Sequence, residues 1–421
     1  MKKKFNIGVI GLGYVGLPLA LKLGKFFNVV GYDTSNIKVK NLKKGIDINK
    51  EVKKKEFRLS KKLIFTTDKK LLQKCNVYII TVPTPIFKNK RPDLRLIKNA
   101  TEAIAKLIAP GDIVIYESTV YPGLTEEYCV PILKKFSKLD YNLDKKNSFF
   151  CGYCPERINF GDKKRKIGNI NKLISGSNNQ ILKEIYFIYS KIINARIIKT
   201  QSIIVAEAAK IIENIQRDVN IGLINELAMI FDKMKINTQE VLKAASTKWN
   251  FLNFKPGLVG GHCIGIDPYY LNYKSKKMGI VPKIILAGRN VNEETVNFIY
   301  KKFLSLLQSK KLNTNKSKIL ALGCTFKENI SDIRNSKALE LIYKLKKKFQ
   351  KVDVYDPHAQ KFSNFTNFTK IKLKYDAIIL LVKHNDFKNI EIKKLKKLTK
   401  KNSIIFDLHS LYPKKYIDGT F

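Results

Sequence analysis

The chain has 421 residues, and no apolar stretch in it is long enough and free enough of charge to cross a bilayer as a helix. Its N-terminus is basic and then apolar, as in a secretion signal. However, four glycines precede Lys22 and no small-residue cleavage site follows. We therefore expect a cytoplasmic protein without membrane insertion.

Cysteine and histidine are scarce, with six and four residues respectively. Six cysteines in a chain of this length do not form the disulfide framework of a small secreted domain. Cys151 and Cys154 form a C-x-x-C, which is typical of a redox pair or of half a zinc site. There is no second C-x-x-C and the histidines are scattered, so we expect no metal site.

Acidic residues are few, 35 against 80 lysines and arginines, and the formal net charge is +45. Such a charge favours anionic ligands and raises the possibility of a nucleic-acid partner. The lysines, however, are spread from Lys2 to Lys415, and no basic stripe is interleaved with aromatic residues. We attribute the excess to the Lys-, Ile- and Asn-rich composition that an AT-rich genome gives, and expect no nucleic-acid partner.

A phosphate-binding pattern opens the chain. The apolar run Phe5–Ile10 predicts a buried parallel strand, and G-x-G-x-x-G follows it at residues 11–16, ahead of an apolar helical pattern. A second strand then ends in Asp33. This context predicts a dinucleotide site in which the helix N-terminus binds the pyrophosphate. Because a carboxylate at Asp33 accepts ribose hydroxyls and repels a 2′-phosphate, we expect NAD rather than NADP.

The alternation of strands and helices continues beyond this unit. Buried strands are predicted within Cys75–Pro85 and Gly111–Gly123, and Thr84 and Thr119 fall near their carboxyl ends. Ligands of open parallel sheets bind off those ends, so both threonines are candidates for cofactor contact. Each fits a helix N-cap or a turn equally well.

A second alternation follows a lysine-rich linker at Lys310–Lys316, with four predicted strands. Lys327 and Arg334 come after the first of them and are candidates for holding phosphate or base. The sequence thus predicts an α/β protein: two Rossmann-like, doubly wound parallel-sheet domains joined by a central helical domain with one long helix. The predicted boundaries are 1–198, 199–309 and 310–421.

The long helix is predicted from Ser202 to Met234, where apolar residues recur at helical spacing on more than one side. We expect it to be buried by several partners, a second subunit among them. Four polar residues share one face of it, at spacings of three and four; they are Glu207, Lys210, Asn214 and Arg217. They fit either an exposed face with an ordinary ion pair or a row in which Lys210 and Asn214 point into a reactive site.

The stretch KPGLVGGHCIGIDPYY, residues 255–270, surrounds Cys263 with four glycines. Such a loop lets a ligand approach the backbone closely and leaves the sulfur open to solvent. Asp267 follows as a carboxylate that can relay a proton, and His262 is adjacent. The alternative is a glycine-rich turn with a buried free thiol.

Seven segments in this order resemble the UDP-glucose/GDP-mannose dehydrogenases: GLGYVGLPLA, VPTP, ESTVYPG, CPERINFGD, EAAKIIEN, PGLVGGHCIGIDPYY and FKENISDIRNS. Within that family the chain is most similar to bacterial UDP-N-acetylhexosamine 6-dehydrogenases, including UDP-N-acetylglucosamine enzymes of the Vi-antigen type. UDP-glucose enzymes typically carry Lys-Asp where this chain has Ile266 and Asp267.

The resemblance implies oxidation of the C6 hydroxyl of a UDP-N-acetylhexosamine, foremost UDP-GlcNAc, to a carboxylate with two NAD+ and one water. Cys263 would attack the C6 aldehyde and carry a thiohemiacetal and then a thioester. The product would be a precursor of capsule, O-antigen or another surface polysaccharide. UDP-glucose, UDP-GalNAc and UDP-ManNAc stay open as substrates.

The resemblance also implies roles for individual residues. Lys210 and Asn214 would stabilise the oxyanion, Asp267 would move protons through water shared with Thr119, and Glu156 would activate or position the hydrolytic water. The residues implied to hold NAD are Gly11, Leu12, Gly13, Tyr14, Val15, Gly16, Asp33, Lys38, Thr84, Thr119 and Arg334. Those implied to contact the nucleotide sugar are Glu156, Arg157, Lys210, Asn214, Phe254, Lys255, Gly257 and Lys327. A homodimer would form through the long helix.

Two positions depart from the family pattern. Cys154 stands where a smaller polar residue is common, and Lys255 where relatives carry arginine, which grips phosphate differently. Two other functions fit parts of the chain. A two-electron β-hydroxyacid dehydrogenase lacks the second sheet domain and the cysteine, and a non-catalytic basic binding protein needs no Cys263, Lys210 and Asp267 set.

Overall fold

The computed structural model describes residues 4–49, 51–144, 146–158, 167–313 and 315–421. The chain divides into two compact units. The first comprises Met1–Glu213 and Tyr269–Ile280, and the second comprises Asn214–Pro268 and Val281–Phe421. The three-domain boundaries drawn from the sequence stay a prediction.

A nine-stranded sheet forms the centre of the first unit, in the order β3-β2-β1-β4-β5-β7-β8-β9, with β6 paired to β7. Its strands are β1 Asn6–Ile10, β2 Asn28–Tyr32, β3 Leu63–Thr66, β4 Val77–Ile80, β5 Ile113–Tyr116, β6 Asp140–Tyr141, β7 Ser148–Tyr153, β8 Lys172–Gly176 and β9 Ile197–Lys199. The strand order reverses between β1 and β4, which is where such sheets bind ligands. Only the β7–β8 pair among these is antiparallel, a departure from the parallel sheet expected.

In the described part of this stretch, six α-helices accompany the sheet: α1 Gly16–Leu23, α2 Asn36–Lys43, α3 Lys54–Leu59, α4 Arg95–Ala105, α5 Val130–Ser137 and α6 Asn179–Ser190. A 3-10 helix at Lys69–Lys74 and a π-helical turn at Thr125–Cys129 lie between them. Apolar residues at helical spacing bury one side of α6, as Ile181, Ile185 and Ile188 show. They join strand residues such as Ile7 and Val9 in one core. The glycine loop follows the carboxyl end of β1, one of the strands in this core.

Four further helices follow: α7 Ile203–Lys233, α8 Thr238–Ala245, α9 Asp267–Lys277 and α10 Lys283–Ser309. The two long helices α7 and α10 meet at a glycine pair. A Cβ added to Gly222 would lie 2.7 Å from the carbonyl oxygen of Gly288, so the two backbones are in contact there. No helix in the described ranges is both long and apolar enough to span a membrane.

A four-stranded parallel sheet, in the order β11-β10-β12-β13, completes the second unit. Its strands are β10 Lys318–Leu322, β11 Lys351–Tyr355, β12 Tyr375–Leu380 and β13 Thr399–Asp407, and its helices are α11 Lys337–Lys348, α12 Asn385–Lys388 and α13 Ile392–Lys397. Leu341, Ile342 and Leu345 of α11 pack into the core on one side of this sheet. The predicted α/β fold class, with its helical region and single 31-residue helix, is confirmed.

Candidate functional site

The glycine loop after β1 is tight on one side and open on the other. Gly11 has φ of +94°, a conformation that favours glycine, and its amide donates to the carbonyl of Tyr32 at 2.9 Å. A Cβ at Gly16 would lie 1.9 Å from the oxygen of Gly11, whereas one at Gly13 would meet no atom within 4 Å. The loop therefore leaves open space beside Gly13, at the N-terminus of α1, where a pyrophosphate fits.

Asp33, just beyond β2, ties this loop to its neighbours. Its Oδ2 accepts the amide of Leu12 at 2.9 Å and the ammonium of Lys38 at 2.6 Å. Its Oδ1 accepts the amide of Ser35 at 3.0 Å. The carboxylate is buried, and the Lys38 side chain is about one-third exposed. Asp33 and Lys38 thus lie together beside the glycine loop, and their contact with NAD stays a prediction.

The two predicted cofactor threonines are brought together. The hydroxyl of Thr84 donates to the carbonyl oxygen of Thr119 at 2.7 Å, and Ser118 donates to the carbonyl of Val82 at the same distance. These bonds join the loops that follow β4 and β5. The sequence predicted both threonines near the carboxyl ends of strands, and they follow β4 and β5, which pair with each other. Their contact with NAD stays a prediction.

Glu207 of α7 holds the segment that follows Thr119. Its two carboxylate oxygens accept the amides of Gly123 at 2.6 Å and Thr125 at 2.9 Å. Burial raises the pKa of Glu207 to about 7, against the lowering effect of these hydrogen bonds. The polar row predicted on α7 is buried at Glu207, Lys210 and Asn214. Its fourth member, Arg217, is exposed, so the row does not extend that far.

Glu156 lies in a buried charged cluster that the sequence did not predict. Its Oε1 accepts the amides of Arg157 and Ile158 at 2.7 and 2.8 Å, and its Oε2 lies 3.9 Å from the ammonium of Lys172. Lys172 in turn lies 3.0 Å from Glu117, and both are buried. The sequence does carry a signal for this cluster, because Glu117 and Lys172 are charged residues at the ends of two largely apolar strands, β5 and β8.

Arg157 makes a two-pronged ion pair with Glu213 of α7. Nη2 and Nε lie 2.6 and 3.1 Å from the two carboxylate oxygens, and Nη1 donates to the carbonyl of Asn171 at 3.0 Å. The guanidinium is therefore held by protein partners, and its predicted contact with substrate stays a prediction. Residues 159–162 of the CPERINFGD segment lie outside the described residues.

Cys263 lies in the turn that leads into α9. Its carbonyl oxygen accepts the amides of Ile266 at 3.0 Å and Asp267 at 2.9 Å. The residue is half-buried, whereas the other five cysteines are buried, and all six are free thiols. Cys263 is thus the thiol most open to a ligand, as the loop composition predicted, and Cys151 and Cys154 are core residues.

Two predicted catalytic residues are hydrogen-bonded to each other. The Asn214 amide donates to the Asp267 carboxylate at 2.6 Å, and both side chains are buried. Asp267 is the first residue of α9 and lies one turn after Cys263. An amide has two N–H donors, so Asn214 can orient this carboxylate with one of them and still offer the other.

Asn225 of α7 fixes the start of the cysteine loop. The amide of Gly257 donates to Asn225 Oδ1 at 2.8 Å, and Asn225 Nδ2 donates back to the carbonyl of Gly257 at 3.0 Å. Asn225 also bonds Asn292 of α10, which is in turn bound to the buried Asp218. Of the two predicted substrate contacts before Gly257, Phe254 is half-buried and Lys255 is exposed, whereas Pro256 between Lys255 and Gly257 is buried.

The segment after β10 packs directly on the cysteine loop. A Cβ at Gly261, where φ is +84°, would lie 2.6 Å from the ring of Phe326. The amide of Gly261 donates to the carbonyl of Asn335 at 3.3 Å. Lys327 and Arg334, predicted from sequence as ligand contacts, are thus adjacent in sequence to Phe326 and Asn335, which contact this loop.

Asp332 connects this segment to the residue beside the thiol. It forms a two-pronged pair with Arg334, at 2.5 and 3.0 Å, and lies 3.5 Å from Nε2 of His262. Nδ1 of the same ring lies 3.2 Å from Sγ of Cys263. The sequence noted His262 only as a neighbour and missed Asp332, because nothing in the spacing joins positions 70 residues apart.

The charges of this group reinforce one another. Burial opposes protonation of His262, but Asp332 and the Cys263 sulfur outweigh it and raise the His262 pKa to about 9. Burial likewise opposes ionisation of Asp332, yet His262 and Arg334 hold its pKa well below the usual range. Both shifts favour an ionised Asp332 beside a protonated His262.

The predicted site residues divide between the two units. The first unit holds the glycine loop, Asp33, Lys38, Thr84, Thr119, Glu156, Arg157 and Lys210. The second holds Asn214, Phe254, Lys255, Gly257, Cys263, Asp267, Lys327 and Arg334. Across the ranges that the structure describes, no group of three or more histidine, cysteine or acidic side chains is arranged to hold a metal ion.

Three family models match consecutive parts of the chain. Residues 5–193 match the NAD-binding domain of the UDP-glucose/GDP-mannose dehydrogenase family, residues 204–294 its central domain and residues 320–414 its UDP-binding domain. A UDP-N-acetyl-D-glucosamine 6-dehydrogenase of Pseudomonas aeruginosa is 47% identical over 415 residues, 97% of each chain. One of Salmonella typhi is 46% identical over 419 residues, 98% of each.

A solved structure supports the fold along the whole length. The UDP-D-ManNAc dehydrogenase of Pyrococcus horikoshii superposes with a TM-score of 0.88 at 28% identity. The match covers 97% of this chain and 96% of that one.

Proposed function

Because the chain belongs to the UDP-glucose/GDP-mannose dehydrogenase family, we propose that it oxidises the C6 hydroxyl of UDP-N-acetylglucosamine to the carboxylate, with two NAD+ and one water. Two relatives at 46–47% identity over nearly the full length carry that activity in their names. The observation that carries the chemistry is the half-buried thiol of Cys263, in a glycine loop four residues ahead of the buried Asp267–Asn214 pair.

The residues present fit NAD. The open space beside Gly13 and the N-terminus of α1 suit the pyrophosphate, and Asp33 with Lys38 suits the adenosine ribose. Thr84, Thr119 and Arg334 are further proposed contacts. When bound, NAD+ accepts the hydride in each of the two oxidations. Asp33 makes a 2′-phosphate unfavourable, which favours NAD over NADP.

Cys263 is the proposed nucleophile. Oxidation of an alcohol to an acid passes through an aldehyde, and a covalent bond from sulfur to C6 keeps that aldehyde from escaping. The thioester that the second oxidation leaves on Cys263 is then hydrolysed. A simple alcohol dehydrogenase needs no such thiol, so the placement of Cys263 favours a four-electron reaction.

The remaining roles follow the family pattern and stay proposals. Lys210 supplies a cation and Asn214 an amide donor for the oxyanion that develops at C6. Asp267 moves protons through water that Thr119 also binds, and Glu156 positions the water that hydrolyses the thioester. Arg157, Phe254, Lys255, Gly257 and Lys327 are the proposed contacts to the nucleotide sugar, alongside Glu156, Lys210 and Asn214.

We further propose a homodimer through α7. Four apolar side chains on one face of this helix, Val205, Ile212, Leu223 and Ile230, are each 46–54% exposed. Their spacings of 7, 11 and 7 residues keep them in line along the helix, as a stripe covered by a second copy would be. We place the enzyme in the cytoplasm, where NAD+ is abundant, with its product supplied to surface polysaccharide synthesis and with no nucleic-acid partner.

A panel of sugars tests the substrate. Purified protein with saturating NAD+ would be given UDP-GlcNAc, UDP-GalNAc, UDP-ManNAc and UDP-glucose in parallel, and initial NADH formation would be measured. We expect the highest kcat/KM with UDP-GlcNAc and a product 14 mass units heavier, from loss of two hydrogens and gain of one oxygen. A preference for any other sugar would contradict the substrate assignment while leaving the reaction type intact.

A further inference from the structure

We propose that His262 forms an imidazolium–thiolate pair with Cys263 and that Asp332 positions and holds the charge of that imidazolium. The inference concerns the state of the thiol before substrate binds. It rests on the proposed function only in that Cys263 is the nucleophile. Neither His262 nor Asp332 belongs to the residues that the family resemblance assigned.

The geometry of the three side chains supports the pair. The His262 ring lies between the two groups it would connect, with Nδ1 3.2 Å from Sγ of Cys263 and Nε2 3.5 Å from Oδ2 of Asp332. A nucleophile, a nitrogen base and a carboxylate placed in this spatial order activate cysteine and serine nucleophiles on unrelated folds. Phe326 packs edge-on against the imidazole, with ring centroids 5.7 Å apart, and limits its rotation.

The charges around the His262 ring favour its protonated form. The titratable groups facing the ring are Cys263 in its own turn and Asp332 and Arg334 on the segment after β10. Asp332 favours the imidazolium and Arg334 disfavours it, and Arg334 is itself neutralised by a two-pronged pair with Asp332. The Asp332 carboxylate lies 3.5 Å from Nε2 of the ring, and its effect on His262 is larger than that of Arg334, so the protonated ring is favoured.

The surroundings of the Cys263 sulfur favour a thiolate. Cys263 lies in the turn that leads into α9, where its carbonyl oxygen accepts the amides of Ile266 and Asp267. The imidazolium beside its sulfur favours a thiolate. The thiol is half-buried, so it is less hydrated than in a peptide yet open to a substrate. A neutral thiol would attack an aldehyde poorly, since the thiolate is the nucleophile.

The chemical steps balance. The proton of Sγ passes to Nδ1 of His262 and leaves a thiolate. The sulfur lone pair forms the S–C6 bond while the aldehyde π pair moves to oxygen. Loss of a hydride from C6, which bound NAD+ would accept, then oxidises C6 to the thioester. Water cleaves the S–C6 bond, giving the carboxylate and two protons to solvent, and the thiolate returns beside an imidazolium that has kept its proton.

Alkylation without substrate or cofactor tests the pair. Wild type, His262→Asn and Asp332→Asn would be treated with iodoacetamide from pH 5.5 to 10, and labelling of the Cys263 peptide would be followed by mass spectrometry. In wild type we expect a midpoint below the roughly 8.5 of a free thiol. We expect His262→Asn to move it to 8.5 or above and to slow labelling at pH 6.5 by about tenfold or more. Asp332→Asn should shift it in the same direction by less.

His358→Asn is the matched control, because His358 also pairs with a carboxylate, Asp386 at 3.1 Å, in the same unit. It should leave Cys263 labelling unchanged. A His262→Asn profile that superposes on wild type would overturn the proposal, even if two NADH form per sugar. A changed profile in a protein that oxidises no UDP-sugar would instead keep the pair and remove the proposed function.

A second measurement needs no histidine variant and covers the case in which His262→Asn does not fold. The absorbance of wild type at 240 nm minus that of Cys263→Ser reports thiolate directly. We expect the difference to be present at pH 7 and to disappear only at lower pH. A difference that appears only above pH 8.5 would contradict the pair.

Discussion

Glu207 and Asn225 are buried polar residues of α7. Their side chains form hydrogen bonds with loops that are distant in the sequence. Glu207 accepts the two amides of the segment after Thr119, and Asn225 exchanges two hydrogen bonds with Gly257 before Cys263. Leaving such a buried polar group without its partner costs about 1–3 kcal/mol. Single polar residues on one helix thus hold in place the loops that carry the proposed chemistry.

Glu207→Gln should change how stability depends on pH. The folded pKa of Glu207 is raised by burial to about 7, above the usual value near 4.5. Its contribution is therefore fully present below pH 4.5 and lost as pH rises through about 7, by up to roughly 3 kcal/mol. We expect the free energy of unfolding to fall more between pH 5 and 8 in wild type than in Glu207→Gln.

The difference between the two slopes is the readout, because groups such as His262 titrate in both proteins and cancel. Denaturant unfolding at pH 5, 6.5 and 8 would measure it. Parallel curves for the two proteins would show that Glu207 has an ordinary pKa in the folded state.

At the scale of elements, the close crossing of α7 and α10 is made possible by Gly222 and Gly288. The buried Asp218–Arg289 pair lies on the same two helices, one turn before Gly222 and directly after Gly288. Backbones in contact leave no room for a side chain, and overpacking of a core typically costs 1–3 kcal/mol. The crossing thereby fixes the part of α7 that presents Asn225.

Gly222→Ala should destabilise the protein although alanine is the better helix former. The added Cβ would lie 2.7 Å from a backbone oxygen, which cannot rotate away. We expect a loss of about 2 kcal/mol in the free energy of unfolding, offset by up to about 1 kcal/mol of helix propensity. Ser305→Ala, at an exposed position of α10, is the control and should change little. A stabilised Gly222→Ala would show that the helices separate there.

The elements themselves were largely predictable from sequence, and their contacts were not. The long helix was expected at 202–234 and lies at Ile203–Lys233, because nothing in that stretch but Gly222 interrupts the apolar period. The glycine loop and Asp33 were predictable because the motif is local. The antiparallel pairing of β8, the Glu117–Lys172 cluster and the Asp332–His262 contact depend on tertiary packing, which no local spacing encodes.

For the whole molecule, the apolar stripe on α7 and the charge of +45 bear on assembly. A chain so positively charged repels its own copies, so a dimer must gain enough from apolar burial to overcome that repulsion. Burial of apolar surface contributes about 25 cal/mol per Å2. A dimer interface of ordinary size therefore overcomes the charge repulsion only if its side chains are well packed.

Leu223→Glu should convert the proposed dimer to monomer, because it places a charge in the middle of the stripe. Sedimentation equilibrium at several protein concentrations would measure it. Lys243→Ala changes the net charge by the same amount at an exposed position of α8 and should leave the mass unchanged. A wild type that sediments as a monomer, or a Leu223→Glu protein that still dimerises, would remove α7 as the interface.

The central claim is a four-electron oxidation through a covalent bond to Cys263, and the yield of NADH per sugar tests it most directly. With limiting UDP-GlcNAc and excess NAD+, we expect two NADH per sugar consumed in wild type. Cys263→Ala should lose at least about 10³-fold in rate and form no second NADH, since no thioester can form. One NADH per sugar in wild type, or two at an undiminished rate in Cys263→Ala, would contradict the account.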